Sequence, residues 1–223
     1  MRRVLLILSI VTITLSSCTA PAGVTKLKRY GAMYSEKPTT ILIMPPINRS
    51  TKVDAKEIFY SSLTTPLTLK GYYVLPPMLT MEILKEESAY DSEMFIERSA
   101  RKFGEVFGAD AVLFTTIHSW NKTTIASQIN VTIEYLLKSA KTDEILFHRT
   151  GDVTVVVQAN SGNAIADLIS GMIITALTKE YTVGKQCNVY TISDMPLGKY
   201  SPLYMTDSTA QAGPKEFKAV ISR

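Results

Sequence analysis

The chain has 223 residues, 46% hydrophobic and 20% charged, with 24 Lys and Arg against 20 Asp and Glu and a formal charge of +4. That length suits one domain with a substantial core, or a domain carrying an extended tail. The charges alternate in sign with no Lys/Arg stripe, which argues against a nucleic-acid partner.

Residues 1–17 read as a lipoprotein signal peptide. Arg2 and Arg3 precede an apolar run from Val4 to Leu15, which closes on Leu15-Ser16-Ser17-Cys18. Basic start, short apolar core, small residues and cysteine come in the order that export and lipidation require. The run is shorter than the roughly 20 residues of a spanning helix, and no second apolar stretch reaches that length. An ordinary buried amino-terminal helix is the bland alternative. On the lipoprotein reading the mature chain begins at Cys18, which carries the lipid. With about 0.8 kcal/mol per buried methylene, several acyl chains make the anchor durable. Thr19 stands where an aspartate would signal retention in the inner membrane. The expected location is therefore the outer membrane, facing the periplasm, with surface exposure left open. Removing Arg2 and Arg3 with the signal lowers the formal charge from +4 to +2.

Residues 18–39 read as a lipidated, flexible tether punctuated by Pro21, Gly23, Gly31 and Pro38. Its basic group, Lys26, Lys28 and Arg29, is either solvated or rests on anionic headgroups. An α/β domain is expected over residues 40–182. Thr40–Met44 is an apolar run suited to a strand covered on both faces. A helical spacing follows from Val53 to Leu69, with Pro66 expected to kink or end it. Tyr72–Leu75 reads as a second strand, residues 78–89 and 93–107 as helices, and Ala111–Ile117 as a third strand. This alternation predicts an α/β core with parallel pairing.

After Trp120 the pattern changes. Ile125–Leu137 and Glu144–Gln158 alternate like a long antiparallel hairpin around Lys141-Thr142-Asp143. A closing helix is expected from Asn163 to Thr178, with Asn160-Ser161-Gly162-Asn163 as its cap or as a weak anion site. Residues 183–223 carry scattered Gly and Pro and read as an irregular tail on the domain, contributing at most one edge strand. A partner-binding arm is the alternative. Asp207-Ser208-Thr209 fits a short O-glycosylation pattern that three residues match easily by chance.

Candidate chemistry is sparse. His118 and His148 have no companions at metal-ligand spacing, and Gly-x-Ser-x-Gly is absent, so no catalytic residue and no metal or other cofactor is expected. If Cys18 is lipidated, Cys187 stands alone, either buried, paired between chains, or a nucleophile. Asn48, Arg49 and Ser50 follow Pro45-Pro46 at the carboxyl end of the first strand, where open α/β sheets place their crevices. They are a possible ligand or partner site, against the alternative of a rigid turn with a helix cap.

The signal, the Ile41–Asn48 strand exit, Gly108-Ala109-Asp110-Ala111-Val112-Leu113 and the hairpin together resemble a family of bacterial lipoproteins of unknown function that includes a genome-derived neisserial vaccine antigen. The resemblance spans about residues 25–200. It implies a mixed-sheet α/β domain similar to the TolB amino-terminal domain and to modules of curli-pore and peptidoglycan-synthase-activator lipoproteins. It also implies work in an envelope assembly or secretion machine, beside a curli-pore-like lipoprotein, and supplies no catalytic residues. The expectation is a non-catalytic interaction module that docks with other envelope proteins, as a homo-oligomer or beside a pore-forming lipoprotein. A ligand-binding component of a transport system is the second reading, and an envelope hydrolase the third.

Overall fold

The computed structural model describes residues 23–123, 128–156 and 172–222. The residues read as a signal peptide, Cys18 and the stretch Asn160–Asn163 read as a helix cap lie outside them.

β1 (Thr40–Ile43) is the doubly covered strand its composition predicts. Ile41 and Ile43 enter one core while Leu42 and Met44 enter another across the sheet, as the two-residue period of a strand requires. β2 (Ile47–Asn48), β3 (Tyr73–Val74), β4 (Ala111–Thr123), β5 (Gln128–Ser139), β6 (Ile145–Val156) and β7 (Glu216–Ser222) complete a mixed sheet ordered β3-β1-β4-β5-β6-β7, with β2 beside β4. β3, β1, β2 and β4 run parallel, β4-β5-β6 form an antiparallel meander, and β7 returns parallel to β6.

One face is covered by α1 (Lys26–Arg29), α2 (Gly31–Glu36), α3 (Ala55–Ser62), α4 (Thr64–Leu69) and α7 (Met172–Ile192) over the larger core. On the other face α5 (Pro77–Glu86) and α6 (Arg101–Phe107) bury Leu84 and Phe103 against Leu42, Val112 and Phe114. That second cover stops near Leu136 and Ala140, so the far half of the meander shows its second face as a half-buried polar surface.

Several expectations need correction. The flexible tether does not extend to residue 39. Residues 26–29 and 31–36 are helical on either side of Tyr30, with Tyr30, Met33 and Tyr34 buried. Helices of four and six residues are too short to show periodicity, and they are held from outside: Lys26 N–H donates to Ala210 O at 2.8 Å, Leu27 N–H to Ser208 O at 3.0 Å, and Ala212 N–H to Val24 O at 2.8 Å.

The single helix expected from Val53 to Leu69 is two. It breaks at Leu63, and α4 restarts so that Pro66 lies in its first turn, where its missing N–H has no partner to lose. Val53 and Leu69, read as apolar helix positions, are 83% and 78% exposed. The expected helix over 93–107 reduces to a 3-10 turn at Ser92–Met94 and α6, which ends on Gly108 at φ 67°.

α7 continues to Ile192, well past Thr178, so residues 183–192 are helix and not tail. Gly184, one of the glycines scattered over the expected tail, is a contact point. A Cβ there would come within 2.4 Å of Ile58 Cγ2, so its lack of a side chain lets α7 approach α3. Residues 193–215 are irregular as expected, and β7 is the edge strand.

Candidate functional site

The Asn48–Lys52 turn leaves β2 at the carboxyl ends of the parallel strands. Asn48 Oδ1 accepts from Ser50 N–H at 3.0 Å and from Ser50 Oγ at 2.7 Å, while Asn48 Nδ2 donates to Lys52 O at 2.8 Å. Ser50 Oγ accepts in turn from Lys52 N–H at 3.3 Å. The structure therefore brings Asn48 and Ser50 together and commits their polar atoms to the turn. Lys52 ties the turn to α7 through Glu180 at 2.8 Å and also meets Asp54 at 3.2 Å. Its hydrogen bond to Glu180 outweighs burial and raises its pKa. Of the three residues proposed for the crevice, Arg49 alone presents an exposed side chain.

A second constellation was not foreseen. Glu134 on β5 lies between two histidines on its neighbouring strands: His118 Nε2 is 2.8 Å from Oε2, and His148 Nε2 is 2.6 Å from Oε1. All three side chains are half-buried on the open half of the sheet. Burial raises the Glu134 pKa, but the bonds from His118 and His148 outweigh it and hold the carboxyl below its ordinary value. The same face continues through Ser119 Oγ to Thr132 Oγ1 at 3.0 Å, and through Asn130 Nδ2 to Asp152 Oδ1 at 2.9 Å and Thr154 Oγ1 at 3.0 Å. The array can share protons and order three strands. Among the described residues, no group of three or more His, Cys, Asp or Glu is placed to hold a metal ion. The signal in the sequence was parity. Once the hairpin turn is placed at 141–143, residues 134 and 148 fall on one face, and only the β4–β5 register adds His118.

A third cluster joins the two ends of the described chain. Asp207 accepts from Lys26 Nζ at 3.1 Å, from Tyr34 Oη at 3.0 Å and from Leu197 N–H at 3.2 Å. Asp194 accepts from the Tyr30 hydroxyl and from Gly213 N–H at 2.9 Å. Burial first, and then the Asp194 bond, push the Tyr30 pKa upward, so this phenol stays protonated. Arg149 lies 4.1 Å from the Phe217 ring centroid and donates to Pro214 O, Tyr190 O and Thr191 O. These are structural roles for residues that composition alone places in a loop-rich tail. They include Asp207 of the glycosylation pattern.

Two cavities flank this region. One, of about 260 Å³, is lined by Arg29, Tyr30, Ile145, Phe147, His148 and Lys215. The other, of about 340 Å³, lies between α4 and the end of α7, and Lys70 Nζ at its rim donates to Ser193 O at 2.5 Å. Burial lowers the Lys70 pKa to about 8. Cys187 is fully buried on α7, and burial pushes its thiol up to about 12, which leaves it inert in the folded chain.

The sequence model of a family described as "Putative lipoprotein GNA1162-like" matches residues 28–197. Lipoprotein NMB1124/NMB1162 of Neisseria meningitidis serogroup B is 26% identical over 164 residues, which cover 70% of this chain and 75% of the relative. The crystal structure of lipoprotein GNA1162 from Neisseria meningitidis is similar at a TM-score of 0.47 and 24% identity, covering 65% of this chain and 97% of that one. The PelC dodecamer from Paraburkholderia phytofirmans gives a TM-score of 0.43 at 13% identity, covering 70% of this chain and 88% of that one.

Proposed function

This chain belongs to the GNA1162-like lipoprotein family, and from that premise we propose that it is a non-catalytic interaction module, anchored in the outer membrane through lipid on Cys18 and facing the periplasm. Its partners are other envelope proteins of an assembly or secretion machine, a curli-pore-like lipoprotein or further copies of itself among them. The family match carries this reading, and the Leu15-Ser16-Ser17-Cys18 ending of the apolar run supports the anchor. Met78 and Leu79, adjacent on α5 and 74% and 61% exposed, offer apolar surface to a partner.

Crosslinking in intact cells followed by mass spectrometry tests it, with Cys18→Ala as control. One envelope complex, recovered with the anchored chain and lost with the variant, is the expected result. Recovery of no specific neighbour would remove the assembly role.

A further inference from the structure

The cavity beside β6 has an unusual lining. β7 pairs with β6 only from Thr150 onward, so the edge of β6 from Ile145 to His148 has no strand beside it among the described residues. Into that gap Arg29 reaches from α1 and Lys215 from the segment before β7. Both are exposed, and neither forms an ion pair among the described residues. Lys26, the other cation nearby on α1, is buried and neutralised by Asp207. Apolar surface lies alongside, with Ile145 54% exposed at the cavity and Leu27 50% exposed on α1, next to exposed Lys28. Unpaired cations beside exposed aliphatic side chains suit a surface that is anionic outside and apolar beneath.

The distance along the chain says which surface is within reach. Gly23 lies five positions after Cys18, and Val24 is already bonded to Ala212. At about 3.5 Å per residue that segment spans no more than roughly 18 Å. No acidic residue occurs between Cys18 and Glu36. A lipidated Cys18 thus holds this pole of the domain close to the headgroups, near enough for surface attraction to act as the domain settles.

We propose that the face formed by Arg29 and Lys215, with Lys28 and Leu27 beside them, docks on the anionic headgroups of the leaflet that anchors Cys18. The proposal rests on the reading that Cys18 carries lipid. It fixes the orientation of the domain: the amino-terminal helices and the β6–β7 gap face the bilayer, and α6 on the opposite sheet face points away from it.

The test uses the lipoprotein extracted from membranes and reconstituted into vesicles of phosphatidylcholine, alone or with about a third phosphatidylglycerol. Flotation with the vesicles reports the anchor. Acetylation rates read by mass spectrometry then report the orientation, since each cation near an anionic surface gains about fivefold in partitioning. Lys28 and Lys215 are expected to react about fivefold or more slowly in the phosphatidylglycerol vesicles, while exposed Lys102 on α6 is unchanged. Arg29→Gln is expected to weaken the protection of both lysines without altering Lys102. Flotation with equal rates in the two vesicles, or protection of Lys102 instead, overturns the docking face and leaves the anchor standing. Failure to float overturns the anchor and takes the docking proposal with it.

Discussion

Gly184 of α7 packs directly on Ile58 of α3, so closely that a single added carbon would stand 2.4 Å from Ile58 Cγ2. The contact joins the helix after the meander to the helix after β2, on the same side of the sheet. Gly184→Ala should therefore destabilise the fold by about 1–3 kcal/mol through overpacking, against a helix-propensity gain below about 1 kcal/mol. Urea unfolding measures the difference, and in an Ile58→Ala background, which lacks Cγ2, the same substitution should cost less. A neutral or stabilising Gly184→Ala would show that α3 and α7 are not in this contact.

Glu134→Gln removes the carboxylate shared by His118 and His148, at a cost of about 1–2 kcal/mol at pH 7. The sign of the pH dependence follows from the lowered pKa of Glu134 in the folded chain. The unfolded carboxyl binds its proton first, so the stabilisation is complete above its unfolded value, near 4.3, and is lost as pH falls through the lower folded one. The slope of unfolding free energy against pH below about 5 should accordingly be shallower in the variant than in the parent. Identical slopes would show that the triad does not form.

Asp207→Ala removes the acceptor of Lys26, Tyr34 and Leu197, and leaves a largely buried ammonium without a partner. A loss of about 3–5 kcal/mol is expected for such a broken pair. Hydrogen exchange should accelerate first at residues 24–34, the segment that this carboxylate fastens. Loss of protection spread evenly over the sheet would instead mark a global effect.

Cys187 should resist an aromatic disulfide reagent in the native protein and react fully in urea, because it is buried and its thiol is held protonated. Rapid native modification, or a disulfide-linked dimer through this residue, would contradict its position.

The parallel half of the fold was legible in the sequence because its strands are buried on both faces and read as apolar runs; Thr40–Ile43 and Ala111–Ile117 stand where their composition puts them. The hairpin was legible from its alternation. The amino-terminal helices were not, since Lys26–Arg29 and Gly31–Glu36 owe their order to residues about 180 positions away. Gly184 misled because a glycine that admits a neighbouring helix looks, in one dimension, like one that ends its own. The Asn48–Ser50 turn was located correctly along the chain, but which atoms it keeps for itself depends on three-dimensional hydrogen bonding. Glu134 escaped notice because strand register, not spacing, brings His118 and His148 to it.

The bond pattern between residues 24–27 and 208–212 also has a mechanical side. If Cys18 is the anchor proposed above, tension from it meets Val24, Lys26 and Leu27 before any strand of the sheet. The Lys26–Asp207 pair and those three backbone bonds act as a strain relief, passing the load sideways into the segment beyond Asp194. On the reading that Cys18 carries lipid, a drag on that anchor is expected to loosen this clasp before it reaches the paired strands.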